Sequence, residues 1–138
     1  MQLFPVVILG QLNYLKCDIL KVKILNDSIE NLSQNIVNDF LMTFDQECKN
    51  NAEYSEWSNE TLFLLLARKP DLFLQGIQNS KGIDRKCIIS EIENPIKDID
   101  LIKIYTELKR VKMQSEFKES VCHALKTAAK KENLIIKE

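Results

Sequence analysis

Two apolar runs almost touch in the middle of the chain, in the stretch SNETLFLLLARKPDLFLQGIQNS at residues 58–80. The first run, residues 62–67, is apolar on every face of a helix, so we expect that helix to be surrounded by others. Pro70 disfavours helical backbone at the preceding residue and suits the first turn of a new helix. Each run is far shorter than the about 20 residues of a membrane span. The stretch therefore predicts a core hairpin of two helices, not a membrane hairpin.

The remaining segments are also mostly of helical period. Apolar residues three and four apart predict one helix over residues 27–49, in which Asp27 and Glu30 form a capping box. Residues 49–57, KNNAEYSEW, lack this period and are predicted to be a loop, after which Ser58 or Asn59 caps the next helix. Further starts are predicted near Pro70, Asp84, Asp98 and Ser115. Residues 12–25 fit both a helix and an alternating strand, and we favour the helix.

Chain length and turn residues bound the fold. A chain of 138 residues is expected to form one domain, here a single helical domain over 1–138 with an ambiguous N-terminal segment at 1–25. Three Gly and three Pro are too few for a loop-rich all-β protein. We therefore predict an all-α fold of six or seven short helices in antiparallel pairs. These pairs close as an irregular bundle or stack as an armadillo-like curve.

The N-terminal segment bears on the cellular location of the protein. Its first fifteen residues are uncharged, so they lack the basic region with which a signal peptide begins. This favours a cytoplasmic protein without a transmembrane segment. The alternative is that Met1 is not the true start and that residues 1–11 are the remnant of a signal peptide, in which case the protein is periplasmic or otherwise exported.

The four cysteines, Cys17, Cys48, Cys87 and Cys122, are far apart in the sequence and form no CxxC pair. The spacing gives no local support to a structural zinc site. Since cysteine packs as a small hydrophobe, we expect four buried free thiols. Disulfides are the alternative if the protein is exported.

Catalytic motifs are missing from the sequence. His123 is the only histidine, and its neighbour Cys122 points about 100° away on a helix, so the two cannot act as base and nucleophile. Asp98 and Asp100 are expected at a helix start for dipole reasons alone. No Gly-rich phosphate loop or EF-hand pattern occurs. We expect no catalytic residues, no metal, no cofactor and no enzymatic activity.

Charge is unevenly distributed along the chain. Residues 27–60 carry eight acids and one base, whereas residues 109–138 carry eight bases and four acids. The few arginines and the lack of interleaved aromatics argue against nucleic-acid binding. Lysine outnumbers arginine sixteen to three. This ratio is typical of AT-rich coding sequences and therefore favours a bacterial source.

These features favour a non-enzymatic domain that binds another protein, in the manner of a small bacterial immunity or adaptor protein. An acidic surface suits a basic partner, and acids beside aromatics suit an interface hot spot. We place the contact in the predicted loop, at Glu53, Tyr54, Glu56 and Trp57. The alternative is an exported, periplasmic or envelope-associated structural helical domain.

Overall fold

The structure is a computed structural model and describes residues 15–137, which contain seven α-helices and no strand. The helices are α1 (Ile19–Asp27), α2 (Gln34–Leu41), α3 (Ala52–Arg68), α4 (Pro70–Asn79), α5 (Arg85–Glu93), α6 (Leu101–Arg110) and α7 (Glu116–Lys131). Two short 3-10 helices, Ile29–Asn31 and Gln46–Asn50, precede α2 and α3. The prediction of an all-α fold is confirmed.

Helix α3 lies at the centre of the fold. It packs against α1, α4, α5 and α6, and its residues Leu62, Leu65 and Leu66 are fully buried. The sequence prediction that this apolar run is surrounded by other helices is therefore confirmed. None of the described helices is both long and apolar enough to cross a membrane.

The later helices begin where the sequence predicts. Pro70 is the first residue of α4. The carboxylates of Asp84 and Asp100 accept hydrogen bonds from the backbone N–H groups of Cys87 and Lys103, both at 3.0 Å, and so cap α5 and α6. Ser115 caps α7 in the same way. These starts depend on local capping chemistry, which is why the sequence reveals them. The start of α6 is at Leu101, because Asp100 rather than Asp98 is the cap.

The single helix predicted over residues 27–49 is wrong. Helix α1 ends at Asp27, and the chain passes through a 3-10 turn before α2 begins. Ser33 is extended, and its hydroxyl accepts a hydrogen bond from the N–H of Ile36, which makes it the cap of α2. Asp27, Ser28, Asn31 and Ser33 are all of residue types that cap helices, and only Ser33 has the position and the hydrogen bond of the α2 cap.

The loop predicted over residues 49–57 is also wrong, because α3 begins at Ala52. Asn51 is its cap and accepts a hydrogen bond from the N–H of Tyr54 at 3.1 Å. Ser58 and Asn59, predicted as caps, lie buried inside the helix. The Asn59 side-chain amide donates to the carbonyls of Glu91 and Asn94 and accepts from the N–H of Ile96. These distant partners satisfy a polar side chain that, by sequence alone, looks like a cap.

The prediction of four free thiols is wrong for two of the cysteines. Cys17 and Cys48 form a disulfide across 31 residues, with Cα atoms 5.6 Å apart. Cys87 and Cys122 are free. The backbone N–H of Cys17 donates to the carbonyl of Thr43 at 2.8 Å, which holds the start of α1 beside the segment that carries Cys48. The pairing depends on this long-range contact, and the local sequence around either cysteine does not predict it.

Helix α1 shows that the helical interpretation of residues 12–25 is correct from Ile19 onward. The predicted signal-peptide remnant at residues 1–11 lies outside the described residues.

Candidate functional site

The four predicted contact residues lie on the first two turns of α3 and do not share one face. Tyr54 points inward and is only 2% exposed. Its hydroxyl oxygen lies 2.6 Å from Oγ1 of Thr43, and that threonine donates its own proton to the carbonyl of Phe40 at 2.7 Å. The Tyr54 hydroxyl is therefore the donor to Thr43. Tyr54 is a structural residue that a partner protein cannot reach.

The environment of Tyr54 supports a structural role. Burial raises the pKa of its phenol well above the ordinary value, while the hydrogen bond to Thr43 acts in the opposite direction. The ring of Phe44 packs edge-on against it, with centroids 6.2 Å apart. Tyr54 thus fastens the start of α3 to the segment after α2.

The other three predicted residues share the outward face of α3. Glu53, Glu56 and Trp57 are separated by three and four positions, so they lie side by side on a helix. Both glutamates are exposed. Trp57 is partly buried and packs against the core. Trp57 therefore lies between the two exposed carboxylates and the apolar residues of the same helix.

This outward face continues into a groove between α3 and α6. Glu60, Leu64, Ala67 and Arg68 follow Trp57 at helical spacing, and together with Glu53, Glu56 and Trp57 we name them the α3 stripe. The groove has a volume of about 440 Å³. Its apolar lining consists of Phe63, Leu64, Ala67, Ile99 and Ile104. The α3 stripe therefore begins with the acids Glu53 and Glu56, becomes apolar at Leu64 and Ala67, and ends at Arg68.

Most of the acidic side chains of residues 27–60 are paired with basic side chains. Five of its eight acids lie within 4 Å of a base, in the pairs Asp27–Lys23, Glu30–Arg68, Asp39–Lys21, Asp45–Lys16 and Glu60–Lys97. Glu47, Glu53 and Glu56 have no such partner within residues 15–137 and are exposed. The unpaired acidic charge of this segment is thus confined to the start of α3 and the 3-10 helix before it.

The acidic and basic segments do not pair with each other. In the described part of the chain, no ion pair joins an acid of residues 27–60 to a base of residues 109–137. The acids of residues 27–60 instead form their ion pairs with bases elsewhere in the chain.

No protein-family model, curated protein or solved structure matches this chain. Functional inference therefore rests on the geometry of its own residues.

The sequence interpretation missed Leu64, Ala67 and Ile99 as members of this site. The signal for the first two was present, because they continue the spacing of Glu53 and Trp57 along the same helix face. It was hidden by the wrong start of α3, which placed Trp57 in a loop. Ile99 lies between α5 and α6 and enters the groove only through the packing of α6 on α3. No local pattern indicates that contact.

Proposed function

We propose that the protein binds a basic amphipathic helix of another protein along the α3 stripe. This makes it a non-enzymatic protein-binding domain, of which a small bacterial immunity or adaptor protein is one form. The observation that carries the proposal is the continuity of one helix face from unpaired carboxylates, through Trp57, into an apolar groove.

Each end of the α3 stripe favours one part of such a partner. The groove beside Leu64 and Ala67 accepts apolar side chains spaced three and four residues apart, as grooves that bind amphipathic helices do. Glu53 and Glu56 attract lysine or arginine on the flank of the same helix. Because these carboxylates are exposed, we expect them to raise the association rate and fix orientation, while the apolar contacts supply most of the affinity.

The disulfide between Cys17 and Cys48 bears on where this binding takes place. Disulfides persist in oxidising compartments and are rare in reducing ones. It therefore favours an exported or periplasmic location over the cytoplasmic one predicted first. It is also the observation that favours the second candidate function, an exported structural helical domain. The two candidates differ in whether the α3 stripe engages a partner.

The first test is capture of the partner with the tagged protein at low and at high salt, identified by mass spectrometry. Capture alone does not decide the matter, so the captured protein is then titrated against variants of the purified chain. The charge reversal Glu53→Lys/Glu56→Lys is expected to weaken binding by at least about tenfold at low salt, with less effect at high salt, because exposed charges are screened.

The matched control is Glu116→Lys/Glu132→Lys, at the first residue of α7 and at its C-cap. Each double variant changes the charge equally, and each replaces one acid in the first turn of a helix, Glu53 in α3 and Glu116 in α7. The control is expected to bind as the wild type does. Equal loss in both variants would mean that only net charge matters, and no loss in either would remove the α3 stripe as the contact.

A second variant tests the apolar end of the same stripe. Leu64→Lys places a charge in the groove at a partly buried position, and we expect it to weaken the captured partner at least tenfold at both salt concentrations. Thermal unfolding of this variant is measured first, so that lost binding is not confused with lost structure. A folded Leu64→Lys protein that binds normally would show that the partner does not enter the groove.

A further inference from the structure

A free cysteine lines the same cavity as one half of the disulfide. The cavity lies between the segment before α3, the first turns of α3, and α5, and its volume is about 100 Å³. Its lining includes Cys48, which is bonded to Cys17, and Cys87, which is one of the two free thiols. The other free thiol, Cys122, does not line it. One cysteine of the disulfide and one free cysteine therefore border the same small space.

The other half of the disulfide has an unfavourable backbone conformation. Cys17 has a φ of 57°, in the left-handed region, which disfavours any residue that carries a Cβ. Such residues persist only where the surrounding structure holds them, and they cluster at functional sites and switch regions. Two contacts that hold Cys17 are its bond to Cys48 and the hydrogen bond from its N–H to the carbonyl of Thr43. Opening the disulfide removes one of them and allows the backbone to relax.

Access to the disulfide is restricted from outside. A disulfide is opened by a thiolate that attacks one of its two sulfurs. Cys48 is only 4% exposed, so a thiol in solution has little access to its sulfur. Of the two free thiols of the chain, Cys87 is the one that borders the same cavity. The attacking group that suits Cys48 is therefore part of the chain itself.

We propose that Cys87 exchanges with the Cys17–Cys48 disulfide, so that the protein has two covalent forms. The Cys87 thiol releases its proton to solvent, and its thiolate attacks Sγ of Cys48. The bond between Cys48 and Cys87 forms, the bond between Cys17 and Cys48 breaks, and Cys17 leaves as a thiolate that takes up a proton. One disulfide and two thiols are present before and after, so no external oxidant or reductant is needed. This exchange does not depend on the proposed protein-binding function.

The two forms differ in what holds the segment before α3. In the first form, Cys48 ties this segment to the residue two positions before α1. In the second form, Cys48 ties it to α5, and Cys17 is free to leave the left-handed region. The exchange thus moves the free thiol from the cavity to the chain just before α1, which makes the disulfide a redox-sensitive switch.

Protonation of Cys87 sets the rate of exchange, because only the thiolate attacks. Burial, with help from nearby carboxylates, raises the pKa of Cys87 to about 11. The charged and titratable groups around it come from α5, from the segment before α3 and from α3 itself, and they are Asp84, Lys86, Glu91, Asp45, Lys49 and Tyr54. Since the thiolate fraction rises about tenfold per pH unit below the pKa, we expect slow exchange at pH 7 and faster exchange at pH 9.

Disulfide mapping of the folded wild-type protein tests the exchange. The protein is held at pH 7 and at pH 9 without added thiol, the exchange is stopped with acid, free thiols are blocked, and linked peptides are identified by mass spectrometry. We expect a Cys48–Cys87 peptide together with a blocked Cys17, formed roughly a hundredfold faster at pH 9 than at pH 7. If Cys17–Cys48 is the only linkage found at pH 9, the proposal is overturned.

Cys122 is the matched control thiol, because it is buried and free but borders a different cavity. We expect Cys122→Ser to exchange as the wild type does and Cys87→Ser to keep only the Cys17–Cys48 bond. Linkages to Cys122 that form as fast as the Cys48–Cys87 linkage would show that the chain exchanges in its unfolded state, and would overturn the proposal. A rate that rises with protein concentration would assign the exchange to two separate molecules and would overturn it too.

Cys17→Ser tests directly whether the two sulfurs in the cavity can meet. This variant leaves Cys48 without its partner, and thermal unfolding is measured first to establish that it folds. With oxidised glutathione as the oxidant, we expect the folded variant to form the Cys48–Cys87 bond and to leave Cys122 free. A folded variant in which Cys48 remains free, binds glutathione only or pairs with Cys122 would overturn the proposal.

Discussion

Two buried tyrosines, Tyr54 on α3 and Tyr105 on α6, occupy the same kind of position and differ in one respect. Both are almost fully enclosed, at 2% and 4% exposure. The hydroxyl of Tyr54 meets Thr43, whereas that of Tyr105 meets no other group among the described residues. A partnered hydroxyl stabilises the fold, whereas an unpartnered buried hydroxyl costs free energy.

The surroundings of the two tyrosines differ in the same sense. Near Tyr54, the chain is held together by its own bonds, namely the Cys17–Cys48 disulfide and the hydrogen bond from the N–H of Cys17 to the carbonyl of Thr43. Near Tyr105, the buried ammonium of Lys118 donates to the backbone carbonyls of Lys109 and Val111 and forms no ion pair among the described residues. The sequence interpretation included Tyr54 among four contact residues, but its burial and its hydrogen bond to Thr43 make it structural.

The largest expected effect comes from removing the disulfide beside Tyr54. Cys17→Ser/Cys48→Ser is expected to lower the free energy of unfolding by roughly 3–4 kcal/mol, because a loop of this length is no longer closed in the unfolded chain. Urea unfolding measures the change, and reduced wild-type protein should match the variant. Cys87→Ser, which opens no loop, is the control. A disulfide variant as stable as wild type would show that the region around Tyr54 does not need this cross-link.

The next effect tests whether other partnered polar groups on α3 are structural. Asn59→Ala removes one side chain that serves the N–H of Ile96 and the carbonyls of Glu91 and Asn94. We expect a loss of about 2 kcal/mol, because these backbone groups are left without that partner. The exposed Asn35→Ala on α2 is expected to change stability by less than about 0.5 kcal/mol. Equal values for the two would contradict the rule drawn from Tyr54.

The smallest effect is chemical and concerns the thiol in the cavity beside Tyr54. Burial, with help from the carboxylates of Asp84 and Glu91, raises the pKa of Cys87 to about 11. Only the thiolate reacts, so alkylation of Cys87 is expected to be slow at pH 8 and to speed up about tenfold per pH unit towards pH 10. The urea-unfolded chain is the reference and should react faster at pH 8. A rate that is flat over this range would contradict the raised pKa.

The parts of the fold that the sequence predicted correctly depend on local chemistry. Pro70, Asp84 and Ser115 stand at the starts of α4, α5 and α7, and proline or a capping side chain can be recognised from a few neighbouring residues. The apolar run in α3 likewise predicted a central helix from composition alone. Local signals were enough for these elements.

The parts that were wrong depend on contacts between distant residues. Asn59 looks like a cap but is buried against the end of α5, and Cys17 pairs with a residue 31 positions away. The sequence therefore misplaced the start of α3, and with it the predicted contact surface. The α3 stripe kept Glu53, Glu56 and Trp57 and lost Tyr54, because only the correct helix phase shows which side chains face outward.

A cavity between α6 and α7 shows the same division. The spacing of Lys118, Cys122 and Lys126 places them on one helix face and is visible in the sequence. That Tyr105 faces them from α6, with its hydroxyl unpartnered, follows only from the packing of the two helices.

The most direct test of this account is urea unfolding of Tyr54→Phe and Tyr105→Phe side by side, without added ligand. We expect Tyr54→Phe to lose about 1–2 kcal/mol, since it breaks a buried hydrogen bond, and Tyr105→Phe to stay within about 0.5 kcal/mol of wild type or exceed it. Equal losses in the two variants would show that the Tyr105 hydroxyl has a structural partner, and would contradict the account.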